Sequence, residues 1–134
     1  MRNHPPEIAR FLAVGSFAVV GASADRAKYG NKVLRCYQQH GLPVVGVHPK
    51  LTVVEGVPCH PTLVAAGGVR AVSVVAPPAA AASIVADAAA AGVRQLWFQP
   101  GAEQADAIAT ARQRGIEIIA GGPCLLVALG FHDE

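Results

Sequence analysis

Four short clusters in this chain combine residue types that can hold a phosphate. The first is Gly21-Ala22-Ser23, continued after a gap by Lys28 and Tyr29-Gly30-Asn31-Lys32. The others are His48-Pro49-Lys50, Ala76-Pro77-Pro78 and Gln99-Pro100-Gly101. Small side chains let backbone N–H groups approach an anion, and a helix that starts just beyond adds partial positive charge. Arg26, Lys28 and Lys32 put cations beside the first cluster. In this reading a branched side chain at position 21 would fill the phosphate space.

Catalytic patterns are scarcer. No HExxH or GxSxG occurs, and four of the five histidines stand away from the clusters, at His4, His40, His60 and His132. His48 alone falls in one, and a single His without a partner serves as a hydrogen-bonding or packing residue more often than as a base. Glu103 and Asp106 lie one helical turn apart on a segment expected to face solvent, which reads as a charged helix start. Cys124 could meet a ligand thiol and form a mixed disulfide, although a free Cys is more commonly a small buried hydrophobe. No catalytic residue and no metal ligand set is expected.

The elements that would position these clusters alternate between short apolar runs and helical segments. Strands are expected at Phe17–Gly21, Pro43–Val47, Ala71–Ala76, Arg94–Phe98 and Ile116–Ala120. Between them, helices are expected from the N-cap Asn31 to His40, from Pro77-Pro78 to Gly92, and over Glu103–Arg114, with a short leading helix carrying Ile8, Phe11 and Leu12. Residues 51–69 read as an irregular crossover with one helical turn near Thr62–Ala66. Continuous apolar strands imply a parallel sheet covered on both faces. The fold class is therefore α/β, a Rossmann-like doubly wound sheet of about five parallel strands in three αβα layers, with residues 1–134 as one domain. In such a sheet the ligand lies beyond the carboxyl ends of the strands, where the strand order reverses.

Composition agrees. Of the 134 residues, 52% are hydrophobic and 15% charged, which excludes a solvated disordered chain. The net charge of +2 excludes a broad basic nucleic-acid surface. Its distribution is uneven: seven Lys/Arg face three Asp/Glu before residue 68, and four face six after it, so an anion site belongs in the first half. Cys36, Cys59 and Cys124 are odd in number and form no CxxC, which suits a reducing cytoplasmic setting. Arg2, the apolar run Phe11–Ala22 and Ala22-Ser23-Ala24 imitate a signal peptide, but Pro5, Pro6, Glu7 and Arg10 precede the run and the fold needs it as its first strand. No membrane span is expected.

A dinucleotide site of the NAD type needs GxGxxG after the first strand and an acidic residue about 20 positions on. This chain has GAS and a long gap, and its second strand ends in His48-Pro49-Lys50. Lys there suits a phosphorylated ribose, as in NADP or coenzyme A. Taken in order, Val20-Gly21-Ala22-Ser23, Val47-His48-Pro49-Lys50, Val75-Ala76-Pro77-Pro78 with its alanine helix, and Gly122-Pro123-Cys124 resemble the CoA-binding domain family. That family includes small stand-alone bacterial proteins and the first domain of the succinyl-CoA synthetase α subunit, and the resemblance covers roughly residues 8–130.

The resemblance implies that Gly21, Ala22, Ser23, Lys28, Gly30 and Asn31 hold the phosphates of coenzyme A or an acyl-CoA. By the same resemblance, Lys50 would contact the ribose phosphate or adenine end, with His48 and Pro49 beside it among the ligand-binding residues, and Ala76, Pro77, Gln99, Pro100 and Gly101 would line the adenine and pantetheine path. The first loop is longer here than in the synthetase domain. The function expected is non-catalytic CoA binding, with a small nucleotide ligand, no nucleic acid, no membrane, and a homodimer or other protein partner left open. The alternative is an NADP-dependent Rossmann reductase or another nucleotide-binding protein; a reductase usually needs a further substrate domain or a catalytic Tyr/Lys pair, and Tyr29 and Lys32, three residues apart, stand in the phosphate loop instead.

Overall fold

In the computed structural model, which describes residues 4–133, β1 (Phe17–Val20) is the strand about which everything else is arranged. It lies between β2 (Val44–Val47) and β5 (Ala71–Val74), parallel to both, with Phe17 opposite Val44 on one side and Ala71 on the other. From β5 the sheet continues through β6 (Gln95–Phe98) to β7 (Glu117–Ile119), again in parallel. Five parallel strands were expected, and all five are present.

The remaining two are a correction. Residues 51–69 contain β3 (Val53–Val54) and β4 (Val57–His60), an antiparallel hairpin whose second strand runs parallel to β2. The sheet therefore has seven strands in the order β3-β4-β2-β1-β5-β6-β7. The hairpin turns through Glu55 and Gly56, both with positive φ, the backbone that a two-residue primed turn requires. Glu is a poor signal for that turn. Pro58 argues against a strand from sequence, but here it faces Val53 at a site that demands no N–H.

Alternation along the strands divides the interior between two faces. Phe17 and Val19 point to one side with α1 (Pro6–Ala13), α2 (Tyr29–Gln39) and α6 (Leu125–Leu129). Ala18, Val72, Val74 and Leu96 point to the other, against α3 (Leu63–Ala66), α4 (Ala81–Ala91) and α5 (Ala105–Gln113). Three αβα layers result. Of the seven aromatic residues only Phe98 packs on the α4 face. The α2 face instead carries Phe11 stacked on Phe17, Phe17 stacked on Tyr37, and Trp97 edge-on to Phe11. Tyr37 is wholly buried and satisfies its hydroxyl against Ser73 Oγ at 2.6 Å.

Two helix starts differ from expectation. Pro77-Pro78 open a 3-10 turn over Pro78–Ala80 before α4 proper begins. The helix α2 begins at Tyr29, so Asn31 sits inside its first turn rather than at the N-cap. The apolar run that imitates a signal peptide supplies the end of α1 and all of β1, and Arg2 lies outside the described residues. Among the described residues no helix is long and apolar enough to cross a membrane, and no group of three or more His, Cys, Asp or Glu could hold a metal ion.

At the carboxyl end of β1 three backbones meet. A Cβ on Gly21, whose φ is +92°, would overlap the carbonyl oxygen of Val75, and a Cβ on Gly30 would overlap that of Gly21. Gly21 is thus required by the packing of β1 against the end of β5, which corrects the idea that a side chain there would only fill ligand space. Gly115 also has positive φ, at +80°, but faces open space. Gly21→Ala should lower the unfolding free energy by about 3 kcal/mol or more, strain and overpacking combined, whereas Gly115→Ala costs about 1 kcal/mol. Equal losses in urea titrations of the two variants would contradict this account of Gly21.

Candidate functional site

The strand order reverses between β1 and β5, and beyond their carboxyl ends lies a cleft of about 530 Å³. Pockets for small molecules typically measure about 300–1,000 Å³ and favour such switch points. Its lining comes from four connections: Gly21, Ala22, Ser23, Lys28, Tyr29 and Gly30 after β1, His48 after β2, Val75, Ala76 and Pro77 after β5, and Gln99 to Ala102 after β6. Of the residues given to ligand binding by the resemblance, all line it except Asn31, Pro49 and Lys50, and of the wider sequence clusters Lys32 and Pro78 do not line it either. Tyr29, named with the first cluster, lines it too, and Val75 and Ala102 line it without having been given a ligand role.

The loop from β1 to α2 organises itself. Ser23 Oγ accepts the Asp25 amide at 3.1 Å, which leaves the hydroxyl proton of Ser23 uncommitted, and Asp25 Oδ1 accepts the Ala27 amide at 2.9 Å. Asn31 then ties the loop down. Fully buried, it donates from Nδ2 to Ser23 O at 2.8 Å and to Glu55 Oε2 at 3.0 Å, while its Oδ1 accepts from Arg35 Nε at 2.6 Å. This explains why Asn31 does not face the cleft. Glu55, at the tip of the β3–β4 hairpin, also lies 3.6 Å from Arg26 Nε, and its carbonyl accepts from Gln38 Nε2. The hairpin is thereby fastened to both α2 and the loop.

After β2, His48 Nδ1 accepts the amides of Lys50 and Leu51 at 3.0 and 3.1 Å. Two donors on one nitrogen make it the unprotonated one, so Nε2 carries the proton. Pro49 and Lys50 are exposed in the turn that this contact shapes. Lys32 does not stand free either: its Nζ lies 3.3 Å from Asp133 Oδ2. Lys28 is the cation at the cleft itself.

The β6 side is different in chemistry. Gln99 is fully buried, and its Oε1 accepts the Leu125 amide at 2.8 Å and the Tyr29 hydroxyl at 3.4 Å. Burial, with the Cys124 thiol beside it, holds the Tyr29 hydroxyl well above the usual phenol range, so it remains a donor. Glu103 Oε1 accepts the Gly101 amide at 2.8 Å, and Gln104 rather than Glu103 caps α5 by accepting from Ala107 N. Asp106 is exposed in the first turn of α5.

Residues 15–130 match the CoA binding domain family. The chain belongs to that family. The fold also matches solved structures. A conserved hypothetical protein from Pyrococcus furiosus is 34% identical, with a TM-score of 0.78 over 84% of this chain and 97% of that one. A protein redesigned for binding is 26% identical, with a TM-score of 0.83 over 94% and 90% of the two chains. A dinucleotide-forming acetyl-coenzyme A synthetase from Ca. Korarchaeum cryptofilum is 24% identical with a TM-score of 0.70, covering 81% of this chain but 26% of that enzyme. The search of curated proteins gave no match.

Tyr29 stands in the first sequence cluster, and the helix carries a further signal for it. Tyr29, Val33, Cys36 and Tyr37 fall on one helical stripe, and the three after Tyr29 are buried. The cysteines separate by burial. Cys36 and Cys59 are buried, Cys124 is only half-buried, and desolvation pushes the Cys36 thiol up to about 12.

Two predictions follow from this geometry. Asn31→Asp puts a carboxylate oxygen against Ser23 O and Glu55, and should cost about 2–3 kcal/mol in denaturant unfolding, because two donors become acceptors. A change below about 0.5 kcal/mol, the ordinary range for surface substitutions, would remove Asn31 from the loop's support. In the native protein, iodoacetamide should modify Cys124 and leave Cys36 and Cys59 intact until denaturant is added. Peptide mass mapping that finds native Cys36 modified as fast as Cys124 would contradict the packing of α6 on α2.

Proposed function

We propose that this chain binds coenzyme A or an acyl-CoA in the switch-point cleft and catalyses no reaction on it. The observation that carries this reading is the cleft itself: a self-organised glycine loop and Lys28 on one wall, in a chain of the CoA binding domain family. Backbone amides and a cation suit the pyrophosphate. No Asp or Glu lines the cleft, so the carboxylate that an NAD site sets against the ribose hydroxyls is missing from it, and His48 stands at the end of β2 instead. Lys50, one turn beyond, is in the right segment to meet a ribose phosphate.

A non-catalytic role is supported by how two of the titratable groups at the cleft are held. Among the lining residues Lys28, Tyr29 and His48 are titratable. His48 Nδ1 is occupied by two amides, and the Tyr29 hydroxyl donates to Gln99. A reductase would need Tyr29 and Lys32 to act together, yet Lys32 pairs with Asp133. This observation weighs against the NADP reading.

Calorimetric titration tests the proposal. CoA should bind in the micromolar range and NAD and NADP more weakly. Lys28→Ala should weaken CoA about tenfold, the effect of losing one charge-assisted contact. Lys50→Ala should weaken CoA but spare dephospho-CoA, which lacks the ribose phosphate. Tighter binding of NAD or NADP than of CoA would overturn the reading.

A further inference from the structure

Residues 130–133 are tied to α2 one after another. His40 Nε2 donates to Gly130 O at 2.7 Å. Gln39 clasps both backbone groups of His132, donating to its oxygen at 2.6 Å and accepting from its nitrogen at 3.0 Å. The Phe131 ring lies under the Arg35 guanidinium, and Asp133 stands between Arg35 Nη2 at 3.1 Å and Lys32 Nζ at 3.3 Å. The partners on α2 step back from His40 through Gln39 and Arg35 to Lys32. This tail therefore runs against the helix, from its carboxyl end toward the amino end that borders the cleft.

Lys32 is the residue that this arrangement diverts. Its amide donates to Lys28 O one turn back, and Lys28, Tyr29 and Gly30 all line the cleft. Side chains on a helix lean toward its amino end, over the residues three and four positions earlier, which for Lys32 are Tyr29 and Lys28. A Lys32 ammonium released from Asp133 thus has the cleft rim within its sweep. Arg35 and Lys32 hold the Asp133 carboxyl below the usual carboxylate range, so it is ionised at neutral pH. A solvent-facing pair of single charges still holds weakly, and a phosphate dianion attracts the same ammonium more strongly than one carboxylate does. Arg35 is different. It is buried, and Asn31 Oδ1 and the Arg26 carbonyl keep it in place without Asp133. Breaking the contact frees Lys32 alone.

We propose that Asp133 and the phosphates of the ligand compete for Lys32, so that the tail is an inhibitory strap that lowers the affinity of the cleft and loosens when ligand binds. This rests on the reading of the cleft as a CoA site and adds to it a regulatory contact from residues outside the lining. Such coupling is reciprocal: what weakens the strap tightens the ligand, and the ligand loosens the strap.

Calorimetric titration with CoA at low ionic strength, where exposed charges are least screened, compares wild type, Asp133→Asn, Lys32→Met and the double variant. Asn keeps an oxygen for Arg35 Nη2 and removes the charge that holds Lys32. Asp133→Asn should bind CoA about threefold more tightly, the scale of one exposed ion pair. In the Lys32→Met background the same substitution should leave the affinity unchanged. No gain in Asp133→Asn overturns the inference. So does an equal gain with and without Lys32, which would mean that the lost charge acts at a distance. Amide exchange on wild type gives a reading that needs no variant: saturating CoA should speed exchange in residues 130–133 while slowing it in the loop after β1. Tail exchange that CoA leaves unchanged or slows would also overturn the strap. Wild-type protein that binds no CoA sinks the CoA reading and this inference with it, whereas CoA binding without these effects removes the strap alone.

Discussion

The site depends on two positions that carry no side chain. Gly21 ends β1 against the carbonyl of Val75, and Gly30 opens α2 against the carbonyl of Gly21. These contacts bring the first turn of α2 under the end of β1 and beside the end of β5. The Gly21 amide still donates to Val47 O at 3.2 Å, and the Val75 amide to Val20 O at 2.8 Å, so the sheet pattern runs up to the crossing point. A methyl group at either glycine would push a backbone aside. The cleft and the sheet therefore share one constraint, and the loop cannot be altered there without cost to the fold.

Around this contact the chain spends buried polar groups on positioning. Asn31, Arg35, Ser73 and Gln99 are the buried polar side chains among the described residues. Ser73 serves the core through Tyr37. Asn31 and Arg35 join the loop to the hairpin and to the C-terminal segment, where Arg35 Nη2 lies 3.1 Å from Asp133 Oδ1 and the guanidinium stacks over Phe131. Gln99 joins β6 to α6. Three of the four thus fasten elements that border the cleft, and a polar group buried with its partners fixes geometry more sharply than apolar contact does. The acidic ends of this network, Glu55 and Asp133, come from segments distant in sequence. They draw Arg26 and Lys32 to the protein and leave Lys28 at the cleft.

The parallel strands were legible because each is a short apolar run buried on both faces. The hairpin was not, since Glu55 occupies a left-handed position usually given to Asn or Gly, and Pro58 interrupts the strand pattern. The cleft lining at strand ends was legible through topology alone: the switch-point rule places Ala76, Pro77, Gln99 and Pro100 there without knowledge of a ligand. What topology does not give is direction. Asn31 and Lys50 stand in the correct connections, yet one turns inward to Ser23 and Glu55 and the other outward to solvent. Gly21 was assigned to the right place for an incomplete reason, because the backbone that crowds it comes from β5, over fifty residues later in the chain.

The most direct test of the central claim is amide hydrogen exchange with and without saturating CoA. Ligand held at the switch point should slow exchange in residues 21–31 and 99–102, on both sides of the cleft, and leave the hairpin strands and α5 unchanged. Protection confined to other surfaces, or no protection in either segment when CoA is bound, would contradict it.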